Sequence, residues 1–279
     1  MKRLAPVAVA VLALAACGES STATRDTPQP VPGDAGNTLV VRVETRGGFA
    51  AEAPQRGGLP QVSVFGDGRV ITLGPTTLEY PGPALPNLQD VRLTADGLAR
   101  ILTVARDAGL VDDPLPDYGD AGITDQATTT VTVTVDGTTR RVDVYALDFT
   151  DGLTLEQIAN RERLRRFIEV AGDVAVPGRA RRYDPHAVAV LSRPFLVDVE
   201  TPRRDWPLGD LAEAGRPYRG DADTRCAVYT GDDRDVLLAA AHDARENDRW
   251  ISGDESYQLK FRPLLPDERG CEELERPVR

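Results

Sequence analysis

Apolar residues alternate with polar ones in several short stretches, and each stretch predicts a half-buried β-strand. The first lies at residues 41–44. Two alternating runs within 61–73 flank Asp67-Gly68, and two more within 128–147 flank Asp136-Gly137. An Asp-Gly pair between alternating runs is the strongest short-range signal for a β-hairpin. The pattern therefore predicts one strand followed by two hairpins.

Two further stretches follow the 3.6-residue period of an amphipathic helix. Residues 94–109 begin at Thr94, a good N-cap, and end at Gly109, a typical residue just beyond a helix. A second helix is predicted to begin at Thr154, where Thr-Leu-Glu-Gln fits a capping box. Its predicted buried face consists of Ile158, Leu164, Phe167, Ile168 and Ala171, and its predicted outward face includes Arg161, Glu162, Arg163, Arg165 and Arg166.

The last third of the chain predicts a smaller α+β unit. Val176-Pro177-Gly178, followed by a run of arginines, indicates a boundary. Beyond it we predict strands near 187–191, 226–229 and 257–261. A helix is predicted at 232–246, with an apolar face of Val236, Leu237, Ala240, Ala241 and Ala244.

Hairpins in sequence imply an antiparallel sheet, and the helices between them imply packing on one face of that sheet. The predicted fold class is therefore α+β, with one domain at residues 38–176 and a second unit at 177–279.

The chain is acidic, with a formal net charge of −11 over 279 residues. Nucleic-acid binding requires a basic footprint, so the charge argues against a nucleic-acid partner. Residues 17–37 are rich in Ser, Thr, Pro and Gly and contain few apolar side chains. Such a segment cannot bury enough surface to become ordered, and it predicts a flexible tether.

Residues 1–16 have the layout of an export signal, with Lys2 and Arg3 before a short uncharged run. The tetrapeptide Leu14-Ala15-Ala16-Cys17 resembles the bacterial lipobox. This resemblance implies a lipoprotein in which Cys17 becomes the first residue and carries fatty acyl groups such as palmitate. It places the protein on the extracytoplasmic face of the cell membrane, held there by its lipid. The alternative is an ordinary secretory signal that happens to contain a cysteine.

If Cys17 carries lipid, Cys226 and Cys271 remain as an even pair outside the cytosol. Cysteines in an oxidising compartment form disulfides, and we expect one here. It would close a loop of about 45 residues and stabilise the fold by about 4 kcal/mol through chain entropy.

Neither a metal site nor a cofactor is predicted. The chain has only two histidines, His186 and His242, without a zinc-binding spacing. No serine lies in a nucleophile-elbow sequence, and no Gly-rich segment has phosphate-loop spacing. Asp232, Asp233 and Asp235 lie close together, but acidic residues are common at helix starts.

Two segments contain weak candidates for a binding site. Asp117, Tyr118, Asp120 and Asp125 share a Gly-rich loop, although turn formation explains the same residues. Arg262 and Asp267 lie in a C-terminal string, Arg-Pro-Leu-Leu-Pro-Asp-Glu, that ends near Cys271. This string is similar to those of uncharacterised secreted or lipid-anchored actinobacterial proteins, a resemblance that implies no activity.

Three functions remain open. The first is a non-enzymatic binding or interaction module whose partner is another envelope protein or wall polymer. The second is a hydrolase of wall polymer that uses two facing carboxylates. The third is an inhibitor of extracellular proteases with an exposed, rigid loop near the disulfide. The predicted tether and the lack of a catalytic motif favour the first.

Overall fold

A computed structural model of the chain describes residues 35–48, 58–173, 180–196 and 200–275. Cys17, the predicted export signal and the predicted tether up to residue 34 lie outside the described residues, as does the predicted boundary at residues 176–178. The fold class is α+β, as predicted, with two sheets rich in antiparallel pairs.

Seven antiparallel strands form the first sheet, in the order β6-β5-β1-β2-β3-β4-β7. Their bounds are β1 Leu39–Gly47, β2 Val62–Phe65, β3 Arg69–Leu73, β4 Leu88–Arg92, β5 Ala127–Val135, β6 Thr138–Tyr145 and β7 Arg181–Arg182. A short 3₁₀ helix, Ala35–Asn37, precedes β1.

Both predicted hairpins are confirmed. In β2–β3, Val62 pairs with Thr72 across the turn that contains Asp67-Gly68. In β5–β6, Val135 pairs with Thr138, and Asp136 and Gly137 both have positive φ, the backbone geometry that matches the twist of a two-residue hairpin. Strand β4 was not predicted, because its sequence Leu-Gln-Asp-Val-Arg alternates weakly and follows a Pro-rich stretch.

Helices α1 (Ala95–Asp107) and α2 (Leu155–Asp173) pack on one face of this sheet and bury its valines. Thr94 caps α1 through a bond from the Gly97 amide at 3.2 Å. The capping box of α2 is also confirmed: the Thr154 amide donates to the Gln157 side chain at 2.9 Å, and the Gln157 amide donates to the Thr154 hydroxyl at 3.2 Å.

The second sheet has six strands in the order β10-β11-β8-β13-β12-β9. Their bounds are β8 Ala187–Pro194, β9 Arg203–Asp205, β10 Arg216–Tyr218, β11 Asp221–Thr230, β12 Arg249–Ser252 and β13 Glu255–Pro263. All neighbours are antiparallel except β9 and β12. Helix α3 (Gly231–His242) packs on one face, and a short helix α4 (Cys271–Glu275) follows the last strand.

The predicted disulfide is confirmed between Cys226 in β11 and Cys271 at the start of α4, with Cα atoms 6.1 Å apart. The backbone packs tightly here. A Cβ on Gly215, which has φ +65°, would lie 2.0 Å from the carbonyl oxygen of Cys226. Only glycine therefore fits at this position.

The helical predictions contain three errors. Arg161, placed on the outward face of α2, is 0% exposed. Val236, placed on the buried face of α3, is 42% exposed, while Leu237 and Ala241 are buried as expected. Helix α3 ends at His242 rather than at residue 246, because the chain turns there to begin a loop that contacts the first unit.

The C-terminal string lies between the two sheets. Leu265 packs with Tyr183 against Phe65, Ile71 and Leu88, on the face of the first sheet that α1 and α2 leave open. The Tyr183 hydroxyl donates to the carbonyl of Leu264 at 2.8 Å. Strand β7, which follows the predicted boundary in the chain, pairs with β4 of the first sheet.

Candidate functional site

The acidic loop before β5 is organised by its own backbone. A carboxylate oxygen of Asp117 accepts from the Gly119 amide, and one of Asp120 accepts from the Gly122 amide, each at 2.9 Å. Asp125 has φ +60°, a conformation that Asp tolerates better than most residues. The three acids are exposed and lie in successive turns of the loop, where turn formation accounts for two of them.

The buried side chain of Arg161 in α2 holds this loop through hydrogen bonds to its backbone. Its guanidinium donates to five backbone carbonyl oxygens at 2.6 to 3.3 Å. Two are in the loop, those of Tyr118 and Gly119, and three are at the end of β6 and in the turn after it, those of Tyr145, Ala146 and Phe149. Burial lowers the pKa of Arg161, and the nearby Asp120 carboxylate raises it. The interaction explains why a helix with several arginines turns this one inward.

Two other side chains of α2 complete the support. The side-chain Nε2 of Gln157 donates to the Asp117 carboxylate at 2.8 Å, and this bond, with that from the Gly119 backbone amide, lowers the pKa of the Asp117 carboxyl. Asn160 donates to the Asp117 carbonyl at 2.7 Å. Tyr118 points into the core of the first unit, where burial raises its pKa to about 12. The loop therefore presents carboxylates to solvent and keeps its aromatic ring inside.

Arg262 and Asp267, the other predicted candidates, are engaged at the junction of the sheets. Arg262 is 1% exposed and pairs with Glu268 at 2.8 Å. Asp267 pairs with Arg42 of β1 at 2.7 Å. Both side chains link the C-terminal string to its surroundings, and neither lies near the acidic loop in the contacts that the structure shows.

The part of the chain that the structure describes contains no group of three or more His, Cys, Asp or Glu side chains placed to hold a metal ion. Across the same residues, no helix is both long enough and apolar enough to cross a membrane. His186 is exposed, and the His242 ring lies 2.7 Å from the carboxylate of Asp243 on the surface.

A more conspicuous surface feature is the Pro-rich loop, residues 74–84, which forms most of the connection between β3 and β4. Leu78 is fully exposed at its tip, and Tyr80 is 85% exposed. Scattered apolar side chains on a surface are ordinary, but two within three residues on one projecting loop make this loop the candidate contact site. The prolines marked this stretch as irregular, and only the structure shows that it projects.

Hydrogen bonds clamp both ends of the Pro-rich loop, which we call its first stem (Gly74 and Pro75) and its second stem (Gly82 to Ala84). At the first stem, the Gly74 amide donates to the Asn87 carbonyl at 2.7 Å, and the Asn87 side chain donates to the Pro75 carbonyl at 2.8 Å. At the second stem, Gly82 and Glu246 exchange two bonds: the Glu246 amide donates to the Gly82 carbonyl at 2.9 Å, and the Gly82 amide donates to the Glu246 carboxylate at 3.2 Å.

The second stem thus attaches the loop to the second unit. The Ala84 amide donates to the Ala244 carbonyl at 2.9 Å, and the Arg245 guanidinium lies 3.3 Å from the carboxylate of Glu79 within the loop. A loop fixed at both ends loses less entropy when a partner orders it, so this arrangement favours binding.

The Pro-rich loop lies at the end of the first sheet opposite the start of β1, where the predicted tether joins. Gly36 accepts a bond from Arg69, at the start of β3, and the Gly66 amide donates to the Thr38 carbonyl. Strand β3 then runs five residues, about 17 Å, before the loop begins. The acidic loop precedes β5 at this same end, and β5 lies three strands, about 14 Å, from β3 across the sheet.

At the base of the second stem, a groove of about 400 Å³ opens across the second sheet. Its lining includes Tyr218 and Thr224 at one end, Leu191 and Lys260 in the middle, and Pro83 and Glu246 at the other end. Leu191 pairs with both Cys226 and Lys260 across the sheet. The middle of the groove therefore lies on the face that carries the disulfide.

Comparisons of the chain with protein-family models, with curated proteins and with solved structures gave no match.

Proposed function

We propose that this chain is a lipid-anchored protein of the outer face of the cell membrane and that it binds another protein through the Pro-rich loop. The observation that carries the proposal is the exposed pair Leu78 and Tyr80 on a loop that is clamped at both stems. Aromatic and large aliphatic side chains that enter a partner's pocket supply most of the energy of a typical protein interface.

The position of the loop supports a partner away from the lipid. The tether joins at one end of the first sheet and the loop projects at the other. With an acyl group on Cys17, this arrangement places Leu78 and Tyr80 at the end of the sheet farther from the point of attachment. The negative charge of the chain also repels anionic lipid headgroups, which favours a protein over the bilayer surface as the contact.

Site-specific photocrosslinking in cells tests the binding. A photoreactive amino acid at Thr77, which is exposed beside the tip, should give a discrete protein adduct. The same probe at Thr138, exposed in the hairpin at the opposite end of the sheet, should not. The double substitution Leu78→Ser and Tyr80→Ser should remove the adduct. An adduct that persists in that variant, or none at all, contradicts the proposal.

The anchor has its own test. Replacement of Cys17 by Ser removes the only thiol that the lipobox resemblance marks for acylation. The variant should move from the membrane fraction to the soluble fraction of the envelope or to the medium. Retention of Cys17→Ser in the membrane would refute the lipid anchor and leave the crosslinking result unaffected.

The clamped loop also favours a second function, inhibition of an extracellular protease. Inhibitory loops are held in an extended, substrate-like form by contacts on both sides, as Asn87 and Glu246 hold this one. Incubation with chymotrypsin, whose pocket accepts Leu and Tyr, tests this directly. Stoichiometric inhibition that Leu78→Gly weakens would make the protein an inhibitor, and rapid cleavage without inhibition would exclude that function for this protease.

A further inference from the structure

A pocket of about 340 Å³ opens at the end of the first sheet where β1 ends and β5 begins. Helix α2 forms one wall, the ends of the two strands contribute another, and the turn after β6 completes the lining. The volume is within the range of small-molecule sites. The pocket is separate from the Pro-rich loop, because two strand spacings, about 10 Å, lie between β1 and β3.

The sheet contributes hydroxyl and amide groups to this pocket. Thr45 and Thr129 pair across β1 and β5, and their hydroxyl oxygens are 3.5 Å apart. Gln61 and Gln126 also line the pocket. Hydroxyl and carboxamide side chains both donate and accept hydrogen bonds, so this wall suits a ligand that does the same.

Helix α2 contributes a cation and an acid, one turn apart. Arg165 is half-buried, lines the pocket and forms no hydrogen bond or ion pair with another residue of the described part of the chain. Glu169 lines the pocket four residues later. A charged donor and a charged acceptor both form strong hydrogen bonds with neutral hydroxyl groups.

The turn after β6 is held in an uncommon backbone conformation. Ala146 has φ +49°, a value that residues other than Gly, Asn and Asp rarely adopt. Arg161 fixes the turn by donating to the carbonyls of Ala146 and Phe149 at 2.6 and 3.1 Å. Phe149, which is 38% exposed, and Asp148 both line the pocket. Conformations of this kind persist where the surrounding structure enforces them and are frequent at ligand sites, and here the turn brings an accessible aromatic ring to the pocket.

From these groups we infer a second binding site, for a neutral sugar. Sugar hydroxyls both donate and accept hydrogen bonds, which matches the threonines and glutamines, and the C–H face of a sugar ring packs against the ring of Phe149. Asp148 and Glu169 offset the charges of Arg165 and of the nearby Arg161, so the lining favours a neutral ligand over an ion. The inference does not depend on the proposed protein partner of the Pro-rich loop.

Saturation-transfer NMR of the full chain with N,N′-diacetylchitobiose, a neutral disaccharide, tests the inference. Transfer to the sugar protons is expected, with a dissociation constant in the millimolar range. Sorbitol has hydroxyl groups but no ring to place against Phe149, so it should show no transfer at the same concentration. Absence of transfer to the disaccharide, or equal transfer to sorbitol, would overturn the inference.

Variants locate the site. Phe149→Ala removes the aromatic ring and should weaken sugar binding about tenfold, and Arg165→Gln removes the charged donor and should weaken it about fivefold. Leu155→Ala and Arg166→Gln change exposed residues of the same helix that do not line the pocket, and both should bind normally. Unchanged binding in both Phe149→Ala and Arg165→Gln would refute the inference. The comparison of the two ligands uses the unaltered chain, so it decides the matter even if a variant folds poorly.

Discussion

Arg161 and Arg262 are both fully buried, yet their charges are accommodated in different ways. Arg161 contacts five carbonyl oxygens and, among the described residues, no carboxylate, whereas Arg262 forms an ion pair with Glu268. Removal of either arginine leaves acceptors without donors. Only the removal of Arg262 also leaves a buried formal charge, that of Glu268, so the fold around Arg262 depends more strongly on its arginine.

The two regions differ in purpose as well. Around Arg161, the polar contacts hold a surface loop in place on α2. Around Arg262, they fix the C-terminal string between the two sheets, next to the disulfide at Cys271. Arg161, which donates to carbonyl oxygens, fixes the backbone of two neighbouring loops, whereas the Arg262–Glu268 ion pair and the disulfide hold the C-terminal segment against other parts of the fold.

The largest effect is expected for Arg262→Met. Glu268, only 7% exposed, would remain buried and charged without its partner, which should lower the free energy of unfolding by about 3–5 kcal/mol. Urea denaturation measures this loss. Arg269→Met, at an exposed position in the same segment, should change stability by less than about 0.5 kcal/mol. Equal losses in the two variants would mean that the ion pair has no special role.

Loss of the disulfide comes next. The double substitution Cys226→Ser and Cys271→Ser should lower the free energy of unfolding by about 2–4 kcal/mol, because it releases a 45-residue loop in the unfolded chain. Thermal unfolding with and without reductant provides the measurement. The double variant should be insensitive to reductant, and an unaltered melting temperature of the reduced natural chain would show that the bond contributes little.

Arg161→Met should cost about 2–3 kcal/mol, since buried carbonyls lose their donors but no opposite charge is left behind. The damage should centre on the acidic loop, so limited proteolysis should cut the variant near residues 117–122 faster than the natural chain. Arg166→Met, exposed on the same helix, is the matched control. A loss as large as that of Arg262→Met would remove the distinction between the two arginines.

The ion pair also predicts a dependence on pH. Burial alone would raise the pKa of Glu268. Arg262, Arg42 and the Leu265 amide together lower it by more than burial raises it, so the folded pKa lies below the ordinary value of 4.5. The stabilisation is therefore present above the unfolded pKa and is lost as the pH falls through the folded pKa. Melting temperatures from pH 7 to 3 should fall less steeply in Glu268→Gln than in the natural chain, and parallel curves would contradict this assignment.

The smallest effect is expected at the start of α2. Thr154→Ala removes the hydroxyl that accepts from the Gln157 amide and should cost about 1 kcal/mol. Thr154→Ser keeps the hydroxyl and should restore nearly all of the stability. Because Gln157 also holds Asp117, a loss well above this value would show that the cap and the acidic loop are coupled.

Predictions from the sequence succeeded where a few neighbouring residues determine the structure. Asp-Gly turns define both hairpins, and Thr94 and Thr154 begin their helices, because φ preferences and side-chain caps act within three or four residues. The candidate site was much harder to predict from the sequence. Leu78 and Tyr80 have no periodicity and lie among prolines, and their exposure follows from clamps at Asn87 and Glu246, the latter more than 160 residues along the chain.

The sequence by itself determined the α+β class, the two Asp-Gly hairpins, the starts of α1 and α2 and the pairing of Cys226 with Cys271, since alternation, capping and the number of available cysteines are properties of short segments and of composition. Only the tertiary structure decided that Arg161 faces inward, that Val236 faces solvent and that the C-terminal string lies between the sheets. These outcomes depend on which surfaces meet in three dimensions. An arginine is buried when distant carbonyls converge on it, and no periodicity along one helix contains that information.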